Sequence, residues 1–229
     1  MLSTSPRIYI PPESDFIPRF FGRDPEERLD KDRIARILHL IFERYRFAKE
    51  WQGSPPDPAW FLQKMKAPTP SAFLDTLYSE YARQHGAVRW GDKTPIYTSY
   101  LQLIHRLFPD AQVLHVIRDG RDVALSTLDK WGESELHVDL YYAARIWVRR
   151  IRQARFAGSK LGPELYREVR YENLVRDPEG ELRAICEFLE EPYLPQMARQ
   201  DRQARKRVPP EGFNAPVRRP PNAARVGRW

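Results

Sequence analysis

The sequence predicts an α/β fold in which helices flank a parallel β-sheet. Short apolar runs typical of buried strands, such as residues 113–117, alternate with longer segments whose apolar residues recur at helical spacing. Strands separated by helices are joined by crossover connections, which make neighbouring strands parallel. Ligands of such sheets bind outside the carboxyl ends of the strands, so residues that directly follow a strand are the first candidates for a functional site.

The first half of the chain predicts two amphipathic helices and a short strand. The first helix is expected to begin at Asp24-Pro25, and the proline-rich segment 53–58 breaks it. The second begins at Thr69-Pro70 and stops at Gly86, and residues 88–90 form a strand. The apolar faces of the two helices are Ile34, Ile37, Leu38, Ile41, Phe42 and Tyr45, and then Phe73, Leu74, Leu77, Tyr78 and Tyr81.

The second half predicts further alternation of helices and strands. A helix at 97–108 leads to the apolar strand at 113–117, and residues 168–171 alternate as a second strand does. Asp177-Pro178 has the residue types that begin a helix, which runs through Leu189. Another helix is predicted to begin at Arg121, with Val123, Ala124 and Leu128 as its apolar positions. A further long helix is predicted over residues 136–157.

The junction after the strand at 113–117 predicts an anion site. Asp119-Gly120 supplies a turn, so Arg118 stands at the strand end and Ser126 falls in the first two turns of the next helix. Arginine offers a planar fork of donors for a phosphate, and the positive end of the helix dipole favours an anion. The local pattern is equally compatible with a solvated ion pair between Arg118 and Asp119.

Composition excludes several classes of protein. No apolar run is long enough to span a membrane, and the N-terminal residues lack the pattern of a signal peptide. The single cysteine, Cys186, cannot form an internal disulfide, and its helical spacing with neighbouring apolar residues indicates a core position. We expect a cytoplasmic protein. The histidines show no paired metal-ligand spacing, so no metal site is expected.

The net charge of +7 does not indicate a nucleic-acid-binding surface. Residues 196–229 contain nine Lys and Arg and two acidic residues, which accounts for the whole surplus. The preceding 195 residues are therefore neutral overall, and we expect no specific nucleic-acid partner. The tail is compatible both with a solvated disordered segment and with a basic loop over a phosphate-rich ligand.

Several motifs occur in one collinear series. They are Gly91-Asp-Lys-Thr-Pro95, Leu107-Phe-Pro-Asp110, His115-Val-Ile-Arg-Asp-Gly-Arg121, Val169-Arg-Tyr-Glu-Asn-Leu-Val175, Ile185-Cys-Glu-Phe-Leu189 and Val226-Gly-Arg-Trp229. Their order and spacing resemble the sulfotransferases that use 3′-phosphoadenosine 5′-phosphosulfate (PAPS), above all the bacterial-type members and the protein-tyrosine sulfotransferases. The resemblance covers nearly the whole chain, from about Ser5, and implies a P-loop NTPase-like fold.

One family element has no counterpart in the sequence. Family members open with a strand and an Arg-Ser-Gly-Thr-Thr type loop that wraps the 5′-phosphosulfate, whereas residues 1–7 resemble the end of the following helix. Family members also continue past the motif at 226–229. The resemblance therefore implies a fragment truncated at both ends, with an incomplete sulfotransferase-like domain at 1–195 and a basic Pro/Arg-rich tail at 196–229. We expect this fragment to be inactive.

The resemblance implies two catalytic residues. Glu13 stands where related enzymes place the glutamate that accepts the proton of the acceptor hydroxyl, and Pro11 and Pro12 stiffen its approach. Lys93 resembles a lysine that contacts the transferring sulfate or the bridging oxygen. Without the family context, Glu13 is an ordinary loop carboxylate and Lys93 a surface lysine.

The resemblance also implies four residues that bind PAPS. Arg118 and Ser126 match the pair that holds the 3′-phosphate, and Tyr171 matches a cofactor-contacting tyrosine. Arg228 matches the basic residue of the covering loop. A strand tyrosine such as Tyr171 is also commonly a half-buried packing residue.

Two other functional classes stay open. One is a non-catalytic nucleotide-binding or interaction protein that has kept the fold without the phosphosulfate loop. The other is a P-loop kinase relative, which the absence of a Gly-x-x-x-x-Gly-Lys-Ser/Thr motif disfavours. The acceptor is expected to carry a hydroxyl on a sugar, lipid, small metabolite or peptide tyrosine, and the sequence leaves the oligomeric state open.

Overall fold

The computed structural model describes residues 1–131, 139–198 and 226–227. They belong to two compact units, one formed by Leu2–Ala111 and the other by Gln112–Trp229 together with Met1. Each unit contains a pair of parallel strands accompanied by helices, which confirms the predicted α/β class. The expected domain at 1–195 and tail at 196–229 stay predictions, and most of that tail lies outside the described residues.

The Leu2–Ala111 unit has strands β1 (Ile8–Tyr9) and β2 (Arg89–Trp90), which pair in parallel with Tyr9 opposite Trp90. The Gly91 N–H donates to the Tyr9 carbonyl at 3.0 Å and continues the ladder past the strand ends. The α-helices of this unit are α1 (Ile17–Phe21), α2 (Lys31–Arg44), α3 (Pro58–Lys64), α4 (Pro70–Gln84) and α5 (Leu101–Leu107), and 3-10 helices span Leu2–Thr4, Arg46–Glu50 and Pro95–Ser99.

The interior of this unit is largely aromatic. Phe47 packs edge-on against Tyr78 and Tyr81, with ring centroids 4.9 and 5.0 Å apart. Such edge contacts add to the free energy gained by burying the rings. The predicted apolar faces of α2 and α4 are confirmed as buried, except that Phe42 and Tyr45 are only half-buried.

Three predicted helix boundaries in this unit were wrong. Helix α2 ends at Arg44, ahead of the 3-10 helix at Arg46–Glu50, and does not reach the proline-rich segment 53–58. Helix α2 begins at Lys31, because the Asp30 carboxylate accepts a hydrogen bond from the Arg33 N–H and caps the helix there. The Asp24 carboxylate instead accepts from the Glu26 N–H in a turn. The predicted helix 97–108 is divided, since a 3-10 helix at Pro95–Ser99 precedes α5.

The second unit is built on two longer strands. Strand β3 (Val113–Ile117) confirms the predicted run, and it pairs in parallel with β4 (Tyr166–Arg170) along its whole length. Ile117 lies opposite Arg170, so the two strands end together. The helices of this unit are α6 (Gly120–Trp131), α7 (Leu140–Leu161), α8 (Tyr171–Arg176) and α9 (Pro178–Phe188), with a 3-10 helix at Pro195–Met197.

Close packing joins α7 to β4 and to the strand-helix junction. The Tyr166 ring lies directly against Gly158, where a Cβ atom would come within 2.5 Å of it. The Trp147 indole lies against Gly120 and donates to the Arg118 carbonyl at 3.2 Å. These small residues let α7 approach the elements that carry Arg118.

The second unit also corrects three predicted boundaries. Helix α7 ends at Leu161 rather than at residue 157, and strand β4 begins at Tyr166 rather than at residue 168. Strand β4 ends at Arg170, and Tyr171 is the first residue of α8 rather than the last residue of a strand. The helix predicted from Asp177-Pro178 is confirmed, and Cys186 is buried on it, as predicted. Among the described residues, no helix combines the length and apolar character needed to cross a bilayer.

Candidate functional site

The carboxyl ends of β1 and β2 bring Glu13 and Lys93 together. Because the strands are parallel and in register, the segments that follow them, 10–15 and 91–94, leave the same edge. The Lys93 ammonium forms an ion pair and hydrogen bond with Glu13 Oε1. The side chains of Glu13 and Lys93 keep 38% and 64% of their surface exposed, so both remain open to a ligand.

A buried polar cluster lies directly behind this ion pair. The Ser14 hydroxyl donates to Asp92 Oδ2 at 2.7 Å, and the Tyr78 hydroxyl donates to the same oxygen at 2.7 Å. The Ser14 N–H donates to Thr94 Oγ1 at 3.0 Å. Ser14 also shares a 2.7 Å hydrogen bond with the Tyr97 hydroxyl. The cluster therefore joins the segment that carries Glu13 to the segment that carries Lys93.

Burial perturbs the acidity of several groups in this cluster. It raises the pKa of the Asp92 carboxyl, an effect that the hydrogen bonds from Tyr78 and Ser14 oppose. It also raises the pKa of Tyr78 well above its ordinary value, and the neighbouring Asp92 carboxylate adds to this effect. The tyrosine therefore stays a neutral hydrogen-bond donor.

Asp15 is a second carboxylate beside Glu13. Its backbone has a φ of +55°, a left-handed conformation that few non-glycine residues adopt. Desolvation, followed by the nearby Glu13 charge, raises the pKa of the Asp15 carboxyl. The tight bend at Asp15 separates the partly exposed Glu13 from Phe16, which is fully buried.

The carboxyl ends of β3 and β4 bring Arg118 and Tyr171 together in the same way. Each residue directly follows its strand, and the last residues of the strands are paired. The Arg118 guanidinium lies over the Tyr171 ring, 5.3 Å from its centroid. A cation over an aromatic face at this distance is attracted by the π-system, so Tyr171 restrains the direction in which Arg118 points.

Asp122 completes the surroundings of Arg118. Its side chain is fully buried, and its Oδ2 lies 3.8 Å from an Arg118 terminal nitrogen. The same oxygen accepts a hydrogen bond from the Gly227 N–H at 2.9 Å. The next residue, Arg228, lies outside the described residues, so its predicted contact stays a prediction. Asp122 thus ties the backbone just before Arg228 to the helix that begins after Arg118.

The predicted alternative, an ion pair between Arg118 and Asp119, was wrong, because Asp119 pairs with Arg121. Asp119 forms a bidentate pair with Arg121, with contacts of 3.0 and 2.8 Å, and also accepts from the Arg121 N–H. These hydrogen bonds lower the pKa of the Asp119 carboxyl to about 2. The Asp119 N–H donates to Glu172 Oε1 at 2.8 Å. Asp119 therefore organises the turn, while Arg118 faces Asp122 and Tyr171.

Ser126 lies on the second turn of α6, as predicted, and is exposed. Its hydroxyl is thus accessible on the helix that begins at the strand end. Whether it contacts a ligand together with Arg118 stays a prediction.

This arrangement can perform two kinds of chemistry. A carboxylate in the position of Glu13 can accept a proton from a hydroxyl, and an adjacent ammonium can stabilise negative charge on a departing oxygen. A guanidinium at a strand end, next to a helix N-terminus, can bind a phosphate. The described residues hold no group of three or more His, Cys, Asp or Glu side chains placed to bind a metal ion.

Three supporting residues were not predicted from the sequence. Ser14 and Asp92 are direct neighbours of Glu13 and Lys93, but their hydrogen bond spans about 80 positions and has no local signal. Asp122 lies four residues after Arg118, a helical spacing that could have indicated the pair.

Comparison with known proteins identifies the family of the chain. The profile described as "Sulfotransferase family" matches residues 1–195, and the chain belongs to that family. The chain is similar to the sulfotransferase domain of the olefin synthase from Synechococcus PCC 7002, with a TM-score of 0.67 and 25% identity. That match covers all of this chain and 80% of the domain structure.

Two curated relatives match parts of the chain. A putative protein-tyrosine sulfotransferase from Caenorhabditis elegans is 25% identical over 155 residues, 65% of this chain and 57% of the relative. The omega-hydroxy-beta-dihydromenaquinone-9 sulfotransferase from Mycobacterium bovis is 27% identical over 124 residues, 46% of this chain and 30% of the relative. The chain thus matches little more than half of the first relative and less than a third of the second.

Proposed function

We propose that this chain is a PAPS-dependent sulfotransferase, which transfers a sulfuryl group to an acceptor hydroxyl. The observation that carries the proposal is the ion pair between Glu13 and Lys93 at the carboxyl ends of β1 and β2. These two residues are far apart in sequence, and the family resemblance implies a catalytic role for each. A chance ion pair on the surface would not be expected to join the two residues for which the resemblance implies catalytic roles.

Glu13 and Lys93 have complementary roles in the proposed reaction. As the acceptor oxygen bonds to sulfur, its proton passes to the Glu13 carboxylate. The bond between sulfur and the bridging oxygen breaks, and the Lys93 ammonium stabilises the negative charge left on the departing phosphate. The products are a sulfate ester and adenosine 3′,5′-bisphosphate, with the proton held on Glu13.

Arg118 and Ser126 are proposed to bind the 3′-phosphate of PAPS. The support is the position of Arg118 at the end of β3, where Tyr171 restrains it and α6 begins. Tyr171 is proposed to contact the nucleotide, and Arg228 to cover it. A phosphate oxygen held by Arg118 would compete with Asp122, whose contact with Arg118 at 3.8 Å is longer than a hydrogen bond.

The acceptor is proposed only as a class. The name of the C. elegans relative indicates a tyrosine hydroxyl, and that of the M. bovis relative indicates a hydroxyl on a menaquinone. Both are hydroxyl acceptors, and we extend only that class to this chain. A cytoplasmic location is proposed from the single cysteine in the sequence.

Two measurements test this proposal. Titration calorimetry of this chain should show binding of adenosine 3′,5′-bisphosphate and, at the same concentrations, no binding of ATP. Radiolabelled sulfate from PAPS should then be transferred to an acceptor panel of a tyrosine peptide, a sugar and a long-chain alcohol by the longest chain that the gene encodes. The expected inactivity of the 229 residues stays a prediction, which the same assay tests.

The outcomes separate the alternatives. Nucleotide binding without transfer by either length of chain would favour a non-catalytic binding protein. Preference for ATP over adenosine 3′,5′-bisphosphate would contradict the 3′-phosphate site and favour a kinase relative.

A further inference from the structure

We infer that Asp92 is a positioning residue, which holds Ser14 and thereby fixes Glu13 against Lys93. The inference rests on the proposed function, because it deepens the role of the Glu13–Lys93 pair. Asp92 itself lies behind that pair, where its carboxylate is met by hydroxyl groups of the protein. Asp92 therefore acts through its neighbours.

Chain connectivity links Asp92 and Ser14 to the two catalytic candidates. Glu13 immediately precedes Ser14, and Lys93 immediately follows Asp92. A 2.7 Å hydrogen bond from the Ser14 hydroxyl to Asp92 Oδ2 therefore joins the residue next to Glu13 to the residue next to Lys93. The Ser14 N–H bond to Thr94 Oγ1, at 3.0 Å, fixes the same two segments a second time. A shift of either segment would move Glu13 relative to Lys93.

The Glu13–Lys93 pair and the residues behind it differ in burial, which indicates that the buried residues hold the pair in position. The side chains of Glu13 and Lys93 are substantially exposed, and an exposed ion pair adds little stability and holds its long side chains weakly. Ser14 has no exposed surface, and Thr94 is buried as well. A buried, directional hydrogen bond behind an exposed pair defines its position better than the pair can by itself.

Contacts of this anchor lie on both sides of a bend at Asp15. With a φ of +55°, Asp15 adopts a conformation that costs free energy in a non-glycine residue and persists only where surrounding contacts impose it. The Ser14 contacts lie on one side of the bend. On the other side, the Ile17 N–H donates to the Tyr97 hydroxyl at 3.2 Å. Together these contacts hold the loop that presents Glu13.

The first test compares turnover in variants of the anchor, made in the longest chain that the gene encodes. Ser14→Ala should lower kcat by about 10- to 50-fold, with the KM for PAPS changed less than about threefold, because catalytic geometry is lost while nucleotide contacts remain. Asp92→Ala should lower kcat at least as much. Asp92→Asn should retain activity within about fivefold, because its amide oxygen can accept the same hydrogen bonds.

Tyr81→Phe is the matched control. The Tyr81 hydroxyl is buried in the same aromatic core and donates to the Phe47 carbonyl at 2.8 Å, away from both catalytic segments. Equal losses of kcat in Tyr81→Phe and Ser14→Ala would show a general effect of core destabilisation and overturn the inference. So would an Asp92→Ala defect of the same size in wild-type and Glu13→Gln backgrounds, since a positioning residue loses its effect once its target is removed.

A second measurement needs no enzymatic activity. Competitive acylation followed by mass spectrometry gives the reactivity of Lys93 relative to Lys66, an exposed lysine near Asp75. Glu13→Gln and Ser14→Ala should each raise this ratio about threefold or more, because the charge-assisted hydrogen bond that holds the Lys93 amine against Glu13 is weakened, whereas Tyr81→Phe should not change it. An unchanged ratio in Ser14→Ala overturns the positioning role. If the ratio rises but no variant or wild-type chain transfers sulfate, the proposed function fails while the anchor stands.

Discussion

The guanidinium of Arg118 lies over the ring of Tyr171 at the shared carboxyl edge of β3 and β4, 5.3 Å from the ring centroid. The contact follows from strand register, since Ile117 and Arg170 are paired and directly precede Arg118 and Tyr171 in the chain. An equivalent relationship places Glu13 near Lys93 after β1 and β2. In each unit, a parallel pair of short strands thus brings two distant functional candidates to one edge.

The first prediction concerns nucleotide affinity. Arg118→Ala should weaken binding of adenosine 3′,5′-bisphosphate by roughly 10- to 150-fold, because a hydrogen bond to a charged group contributes about 1.5–3 kcal/mol. Titration calorimetry measures the change directly. Arg121→Ala is the matched control, since Arg121 is paired with Asp119 on the same turn and should alter affinity less than about threefold. Unchanged affinity in a folded Arg118→Ala protein would contradict the assignment.

The second prediction concerns the proton acceptor. Glu13→Gln should lower turnover by about 10²- to 10⁴-fold with little change in nucleotide affinity, because only proton removal is lost. Asp15→Asn tests the neighbouring carboxylate and should retain turnover within about threefold. Steady-state kinetics with PAPS, in the longest chain that the gene encodes, measures both. The reverse order of effects would assign the base to Asp15.

The third prediction concerns packing between α7 and β4. Gly158→Ala should lower the free energy of unfolding by about 1–2 kcal/mol, because an added methyl group overlaps the Tyr166 ring and this cost exceeds the gain in helix propensity. Tyr166 cannot swing aside freely, since its hydroxyl is bonded to His115 Nδ1. Thermal or urea unfolding measures the change. Ser159→Ala on the same helix is exposed and should be nearly neutral, and a stabilised Gly158→Ala protein would contradict this packing.

The fourth prediction concerns stability against pH. Burial lowers the pKa of His115 from its ordinary value of 6.5, so the unfolded chain binds the proton first as the pH falls. The contribution of neutral His115 to stability is therefore complete above about pH 6.5 and is lost progressively below it. The difference in unfolding free energy between wild type and His115→Gln should therefore change between about pH 7.5 and 5.0, with the wild type losing more stability as the pH falls.

The lower limit of the measured range, about pH 5.0, avoids the titration of Glu168. The Arg155 guanidinium lowers the pKa of Glu168 from 4.5, so this carboxylate loses its stabilising effect only at more acidic pH. His39→Gln, at an exposed position on α2, is the matched control and should leave the slope unchanged. An identical slope in wild type and His115→Gln would show that His115 does not contribute to the pH dependence.

Local sequence patterns predicted those helices and strands whose signals lie within a few residues. The strand at 113–117 and the helix that begins after Asp177 are confirmed, because apolar runs and proline in a first turn act within a few residues. The helix predicted at 97–108 was wrong in its first part. Tyr97 lies in a 3-10 turn and directs its hydroxyl to Ser14, a contact that no local pattern records.

By itself, the sequence determined the class of fold, the family, and the order in which the candidate functional residues occur. These depend on residue types and spacings, which are local or collinear along the chain. Only the tertiary structure decided which charged groups meet: Arg118 faces Asp122 rather than its neighbour Asp119, and Glu13 meets Lys93 across two segments tied by Ser14 and Asp92. The physical reason is that side-chain partners at a sheet edge depend on strand register and helix direction, which bring together residues that are distant in sequence.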